Sequence, residues 1–210
     1  MRVLYGTHVS ITMRLMTTLM SLMIGVAYGT TTGYLDGRID AVMMRFVDVL
    51  YALPFIFFVI ILMVVFHRNF YLLFVAIGAI EWLTMARIVR GQTLSVKQKE
   101  FIEAARAAGV GTFAIIRRHI VPNVLGPVVV YVTLTIPAVI LSESFLSFLG
   151  LGINEPLTSL GVLIADGTNN MENYPWMLVF PCAFMGVMLF CFNFIGDGLR
   201  EYLDPRQRSR

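Results

Sequence analysis

The 210 residues are 58% hydrophobic and only 14% charged, with a mean hydropathy of +0.78 and a formal net charge of +3. Soluble domains carry about 25% charged residues, so these values exclude an ordinary soluble domain, and so small a surplus, tied to the ends of apolar runs, excludes a nucleic-acid binder. The layout is that of an all-α polytopic membrane protein, read as a single transmembrane domain over residues 1–210.

Two cysteines, Cys182 and Cys191, share one apolar block. Nine residues apart on a helix, they lie on opposite faces and roughly 13 Å apart along the axis, so they cannot pair. His8, His67 and His119 are scattered without a nearby cysteine, and neither a metal nor a cofactor is expected. Met1–Tyr5 lacks the apolar core of a secretory signal, and the abrupt start suggests that something preceded it.

The first apolar block, Val9 to Thr32, leads into a stripe of Gly25, Gly29 and Gly33 at four-residue spacing, which lets another helix approach closely. A short polar loop, Tyr34 to Arg45, carries Asp36, Arg38, Asp40 and Arg45. The second block, Val47 to Phe66, is just long enough to span, and Pro54 predicts a kink in it. A tight turn is expected at His67, Arg68 and Asn69. The third block runs from Phe70 to about Arg87 and Arg90 and contains Glu81. A carboxylate at mid-helix costs about 2.5–3.5 kcal/mol on insertion scales, so Glu81 is expected either to line a permeation path or to make an interhelical hydrogen bond.

Residues 97–122 form a polar island with five Lys and Arg (Lys97, Lys99, Arg106, Arg117, Arg118) and two Glu. It cannot lie in hydrocarbon. If Lys99 to Ala108 is helical, Phe101, Ala105 and Ala108 share one face, and Lys99, Glu103 and Arg106 another. Gly109 supplies a stop, Gly111 a second flexible position, and Thr112 an N-cap for a second short helix that Pro122 closes. Two short helices meeting at a glycine elbow, fixed to a span at each end, can transmit force from a docked partner. The same residues also suit a solvated helix with Glu103 paired to Lys99 or Arg106, or an amphipathic helix resting on headgroups.

The fourth block runs from Val124 to Leu141 with Pro127 and Pro137. Residues 142–175 come next as an external segment with Glu143, Glu155, Asp166 and Glu172 and no Lys or Arg. Within it, Pro156 at a helix start before Leu157, Leu160 and Leu163 or Ile164 predicts a short interfacial helix. Trp176 opens the fifth block, which ends near Ile195 before a basic tail. With five spans, 13 of the 16 Lys and Arg fall on the side that holds the island and the C terminus. The positive-inside rule makes that side the cytoplasm and leaves the N terminus outside.

Glu103-Ala104-Ala105, three residues, Gly109 and a run ending in Pro122 resemble the EAA loop of the permease subunits of ATP-binding-cassette importers. The family pattern usually has Ile three residues before the proline and Leu just before it, where this chain has His119 and Val121. Further stretches narrow the resemblance to peptide-type permeases, closest to the oligopeptide C-subunit. They are Gly33-Tyr34 with Asp40 and Arg45, Tyr51-Ala52-Leu53-Pro54, Ala86 to Gly91, Ser144 to Gly152, Gly196 to Arg200 and Leu203-Asp204-Pro205.

The resemblance implies a type I ABC-importer permease fold of about five transmembrane helices, with cytoplasmic coupling helices and a short external interfacial helix. The family's first span is missing, so a truncated or shortened chain is expected. The implied activity is that of an oligopeptide or dipeptide importer subunit in a bacterial inner membrane, forming half of the pore. The implied partners are a second homologous permease subunit, two cytoplasmic P-loop ATPase subunits, an external solute-binding protein and the peptide substrate. Glu103, Ala104, Ala105 and Gly109 would form the ATPase-coupling contact.

No Gly-x-x-x-x-Gly-Lys-Ser/Thr occurs in the chain, nor a His-Glu-x-x-His or Gly-x-Ser-x-Gly motif, so no catalytic residue is expected and ATP hydrolysis would fall to partner subunits. The competing readings are a permease for another small solute such as a metal chelate, and an autonomous secondary transporter or channel coupled through Glu81.

Overall fold

The computed structural model describes residues 2–66, 70–151 and 158–203. The expected turn at His67 to Asn69, the helix start at Pro156 with Leu157, and the basic tail beyond Leu203 lie outside these residues. All described elements are helices: α1 (Arg2–Leu35), α2 (Gly37–Tyr51), α3 (Phe55–Phe66), α4 (Phe70–Lys97), α5 (Glu100–Ala107), α6 (Thr112–Ile115), α7 (Val121–Leu146), α8 (Leu160–Asn169) and α9 (Trp176–Leu203). Wide π turns at Ile116–Ile120 and Ser147–Leu151 bracket α7. The five expected apolar blocks are recovered as α1, the α2–α3 pair, α4, α7 and α9.

Among the described residues, Arg2–Leu35, Thr112–Leu151 and Trp176–Tyr202 are long and apolar enough to cross a membrane by themselves, and the bent α2–α3 pair makes a fourth if counted as one span. α4 is instead the central helix: Ala76, Ile77, Leu83, Met85, Ala86 and Val89 are all buried against its neighbours. Its main partner is α1, and the glycine stripe explains why. A Cβ on Gly29 would stand 2.5 Å from the Ala86 carbonyl oxygen, and one on Gly33 would stand 2.8 Å from Thr93 Cβ. Only hydrogen at these positions lets the two backbones meet. Buried threonine hydroxyls on α1 are satisfied within the helix, as where Thr17 donates to the Met13 carbonyl at 2.9 Å and Thr30 to that of Val26 at 2.6 Å, whereas the Ser10 hydroxyl accepts from the Leu160 amide of α8 at 3.3 Å.

Four expectations need correction. The polar loop from Tyr34 to Arg45 is mostly helix: α1 runs to Leu35, the chain turns at Asp36 and Gly37 (φ 58° and 65°), and α2 begins at once. The block from Val47 to Phe66 bends at Pro54 as expected but far more sharply than a kink, because Pro54 cannot donate to an ongoing helix and α2 and α3 meet there at 78°. The fourth block does not stop at Leu141. It continues through Leu146 into the π turn, so Glu143 sits inside a helix and is only 2% exposed. Finally, Ser159 caps the short helix α8 by accepting from the Val162 amide at 3.3 Å, and Leu160 is fully buried, so its apolar residues also serve the protein interior.

Candidate functional site: the polar island and its anchors

α4 ends at Lys97, Lys99 is extended, and α5 begins with Glu100 and Glu103 in its first turn and carries Arg106 in its last, the charge order that complements a helix dipole. Gly109 ends α5 at φ 75°. The Val110 amide donates to the Ala105 carbonyl at 3.1 Å and the Gly109 amide to that of Arg106 at 2.9 Å, a Schellman closure that needs the left-handed conformation at Gly109. The elbow expected from the sequence is therefore present.

Beyond it, Gly111 rather than Thr112 caps α6, and Thr112 makes no side-chain cap bond. α6 does not close at Pro122. It passes through the π turn directly into α7, with Pro122 in the first turn of that helix. The wide turn stands where the proline ring would otherwise meet the carbonyl of residue 118. The island is thus continuous with α7 over Thr112–Leu151.

The inner face of α5 also differs from expectation. Ile102 is fully buried, together with Ile115, Ile120, Val124 and Val128 and with Val26, Met85, Val89 and Val96 of α1 and α4. Phe101 is 40% exposed and lies 6.5 Å from the His119 ring, and Ala108 is exposed. The branched Ile102 fills the apolar seat that the helical pattern had given to Phe101. Of the four resemblance residues, Glu103, Ala104 and Gly109 face solvent, and Ala105 is half-buried on the anchored side. Phe113, 75% exposed on the second short helix, adds an outward aromatic group that the pattern did not single out. No atom lies within 4 Å of a Cβ built on Gly109, so the space outside the elbow is open.

Side chains tie this unit to the α1–α2 turn. Arg106 Nε donates to the Tyr34 hydroxyl at 3.2 Å, and its guanidinium lies 4.9 Å from the ring centroid. Lys97 donates to Asp36 at 2.9 Å, Arg90 grips Asp40 with both arms at 2.6 and 2.5 Å, and Arg87 donates to Asp48 at 2.8 Å while stacking on Tyr51 at 4.1 Å. The Lys97 ammonium, with help from the Gly37 amide, holds the Asp36 carboxyl below the usual carboxylate range. Three basic residues of α4 thus pair in order with three carboxylates of the α1–α2 turn and α2, fixing α2 along the end of α4.

Glu81 borders a groove of about 390 Å³ opened by the α2–α3 break and lined by Tyr51, Leu53, Pro54, Ile77, Thr84 and Ser142 among others. Deeper in the bundle, Arg14 of α1 and Glu143 of α7 approach to 3.7 Å with side chains 5% and 2% exposed. Arg14 reaches the Ile136 carbonyl at 3.4 Å and Glu143 accepts from Ser147 at 2.9 Å, while Arg14 Nε, Arg14 Nη2 and Glu143 Oε2 have no hydrogen-bond partner. The sequence reading missed this pair. The signal was available, since an arginine within an apolar run must find an acid or backbone carbonyls inside the protein. Among the described residues no cluster of His, Cys, Asp and Glu is arranged to hold a metal ion.

The family described as "Binding-protein-dependent transport system inner membrane component" matches residues 21–209. A Haemophilus influenzae protein named oligopeptide transport system permease protein OppC is 54% identical over 207 residues, covering 99% of this chain and 67% of that protein. The Escherichia coli K12 protein of the same name is 63% identical over 172 residues, covering 82% and 57%. A Bacillus subtilis protein named dipeptide transport system permease protein DppC is 45% identical over 208 residues, covering 99% and 65%. The chain thus spans between 57% and 67% of the length of these relatives. A chain in a structure titled "Inward facing conformations of the MetNI methionine ABC transporter" matches with a TM-score of 0.77 at 18% identity over 97% of this chain and 96% of its own. At that identity the likeness concerns the fold.

Proposed function

Because the chain belongs to the family of binding-protein-dependent transport system inner membrane components, we propose that it acts as the transmembrane permease subunit of an ATP-driven oligopeptide or dipeptide importer. The names of its relatives support peptide as the cargo. In this reading the chain supplies half of a translocation path completed by a second homologous permease. Two cytoplasmic P-loop ATPase subunits bind at residues 97–122, and an external solute-binding protein delivers the peptide on the side of residues 142–175. The chain hydrolyses no ATP. The island and C terminus lie in the cytoplasm and the N terminus outside, as the positive-inside rule requires.

The observation that carries this reading is the form of the island. α5 is seated by Ile102, turned by Gly109 and continuous with α7, yet it leaves Glu103, Ala104 and Gly109 open to solvent. A well-anchored helix whose outer face sets Glu103 beside exposed Phe101, with Phe113 exposed beyond the elbow, suits a partner surface of mixed polarity that pushes on it. Glu81, at the groove beside the α2–α3 break, is assigned as a polar contact along the peptide's path.

Glu103→Lys and Gly109→Val test the coupling role in proteoliposomes that contain all partner subunits. The first reverses the charge on the outer face. The second strains the elbow by about 1–2 kcal/mol at its left-handed position. ATP-dependent peptide uptake should fall at least about tenfold in both, a barrier change of about 1.4 kcal/mol, while membrane insertion persists. Uptake at the parental rate in both variants would refute the docking role.

A further inference from the structure

The covalent chain gives the island two outputs, α4 and α7. We infer a third: a side-chain clamp from α5 to the α1–α2 turn, with Arg106 and Tyr34 as positioning residues that make α2 move with the island. The inference rests on the coupling function proposed above and adds a route that the loop's sequence motif does not contain.

Arg106 stands on the last turn of α5 and meets Tyr34 in two ways, by the Nε–hydroxyl hydrogen bond of 3.2 Å and by placing its guanidinium 4.9 Å from the ring centroid. Tyr34 is itself only 8% exposed and belongs to the buried cluster that seats Ile102 and Ile115, so it cannot swing to track a displaced arginine. Two residues further on, the backbone turns at Asp36 and Gly37, both at positive φ, where Lys97 holds Asp36. The clamp and the Lys97 ion pair therefore grip both sides of the same turn from the two ends of the α4–α5 junction.

α2 cannot lag behind that turn. Arg90 and Arg87 fasten its Asp40 and Asp48 to α4, and its last residues, Leu50 and Tyr51, line the groove beside Glu81. A displacement of α5 then reaches the groove wall through Arg106, Tyr34 and α2 without passing through α7. The tyrosine end of the clamp is fixed by burial, and the arginine, exposed on its outer side, is held by ring and hydroxyl together.

The test uses the complete transporter in proteoliposomes and reads peptide imported per ATP hydrolysed, alongside copurification of the ATPase subunits. Arg106→Ala and Tyr34→Ala should each lower that ratio by about tenfold, the loss expected for one charge-assisted hydrogen bond with its stacked ring. The double variant should be no worse than either single one. Tyr34→Phe keeps the buried ring, guards against misfolding, and should lose about threefold. An unchanged ratio in Arg106→Ala, or losses that multiply in the double variant, would overturn the clamp. Failure of the ATPase subunits to copurify with the unaltered chain would overturn the coupling reading on which the clamp depends.

Discussion

Replacing Arg14 by Met, or Glu143 by Leu, should destabilise the chain far more than making both changes together. The two side chains are 5% and 2% exposed and their charged atoms approach only to 3.7 Å, longer than a hydrogen bond. Three of their polar atoms lack hydrogen-bond partners, and the adjoining void of about 10 Å³ has room for no more than one water. Each single change leaves the other side chain buried without its nearest opposite charge, a loss of about 3–5 kcal/mol, although Glu81 still attracts Arg14 after Glu143→Leu. The double change removes both desolvation costs and restores apolar packing between Met13, Ile77 and Val139, while Glu81 loses the attraction of Arg14, so its loss should be smaller than that of either single change. Unfolding in mixed micelles, monitored by the fluorescence of Trp82 and Trp176, gives all four stabilities needed for the cycle. Additive single losses would show that the two charges do not depend on each other and would refute the argument.

The same unfolding measurement checks two further pairs of substitutions. Gly29→Leu should cost about 1–3 kcal/mol, because its Cβ would fall 2.5 Å from the Ala86 carbonyl oxygen and backbone cannot step aside. Gly91→Ala, with no atom within 4 Å of the new carbon, should be neutral or stabilise by about 0.5–1 kcal/mol. Asp40→Asn breaks the two-armed contact of a largely buried carboxylate with Arg90 and should cost about 1–3 kcal/mol. Asp48→Asn, at a pair with side chains 36% and 52% exposed, should cost less than about 1 kcal/mol. Equal losses at Asp40 and Asp48 would show that burial does not set the strength of the α2–α4 pairs.

Features written in local chemistry were legible in the sequence. The Gly25, Gly29, Gly33 stripe announces a close helix contact, although it cannot say that the partner is α4. Gly109 announces a left-handed cap because only glycine adopts that backbone conformation without strain. What escaped is set by tertiary partners. Phe101 and Ile102 are both apolar and one residue apart, so rotating α5 by about 100° exchanges them, and only the cluster around Ile115 and Ile120 decides which goes inside. Glu143 read as an external acid because its partner, Arg14, lies on a helix at the opposite end of the chain. Pro54 announces a bend but not its size, because how far a helix bends at a proline depends on whether its neighbours can re-satisfy the freed carbonyls. The site was therefore readable as a hinge and not as a surface: its turning point is encoded by one glycine, while its exposed face is encoded by everything packed beneath it.

The π turn at Ile116–Ile120 bears on how residues are counted along this chain. Because the segment from Thr112 to Leu146 is helical without a break, each residue added to or removed from it rotates the island end by about 100° relative to the α7 end. The π turn already holds the extra residue that sets this angle. Register is then a steering angle. Two relatives with the same outer-face residues on the island, but differing by one residue between Thr112 and Val121, would point those residues in different directions and could not share a docking partner without a compensating change elsewhere in the rod.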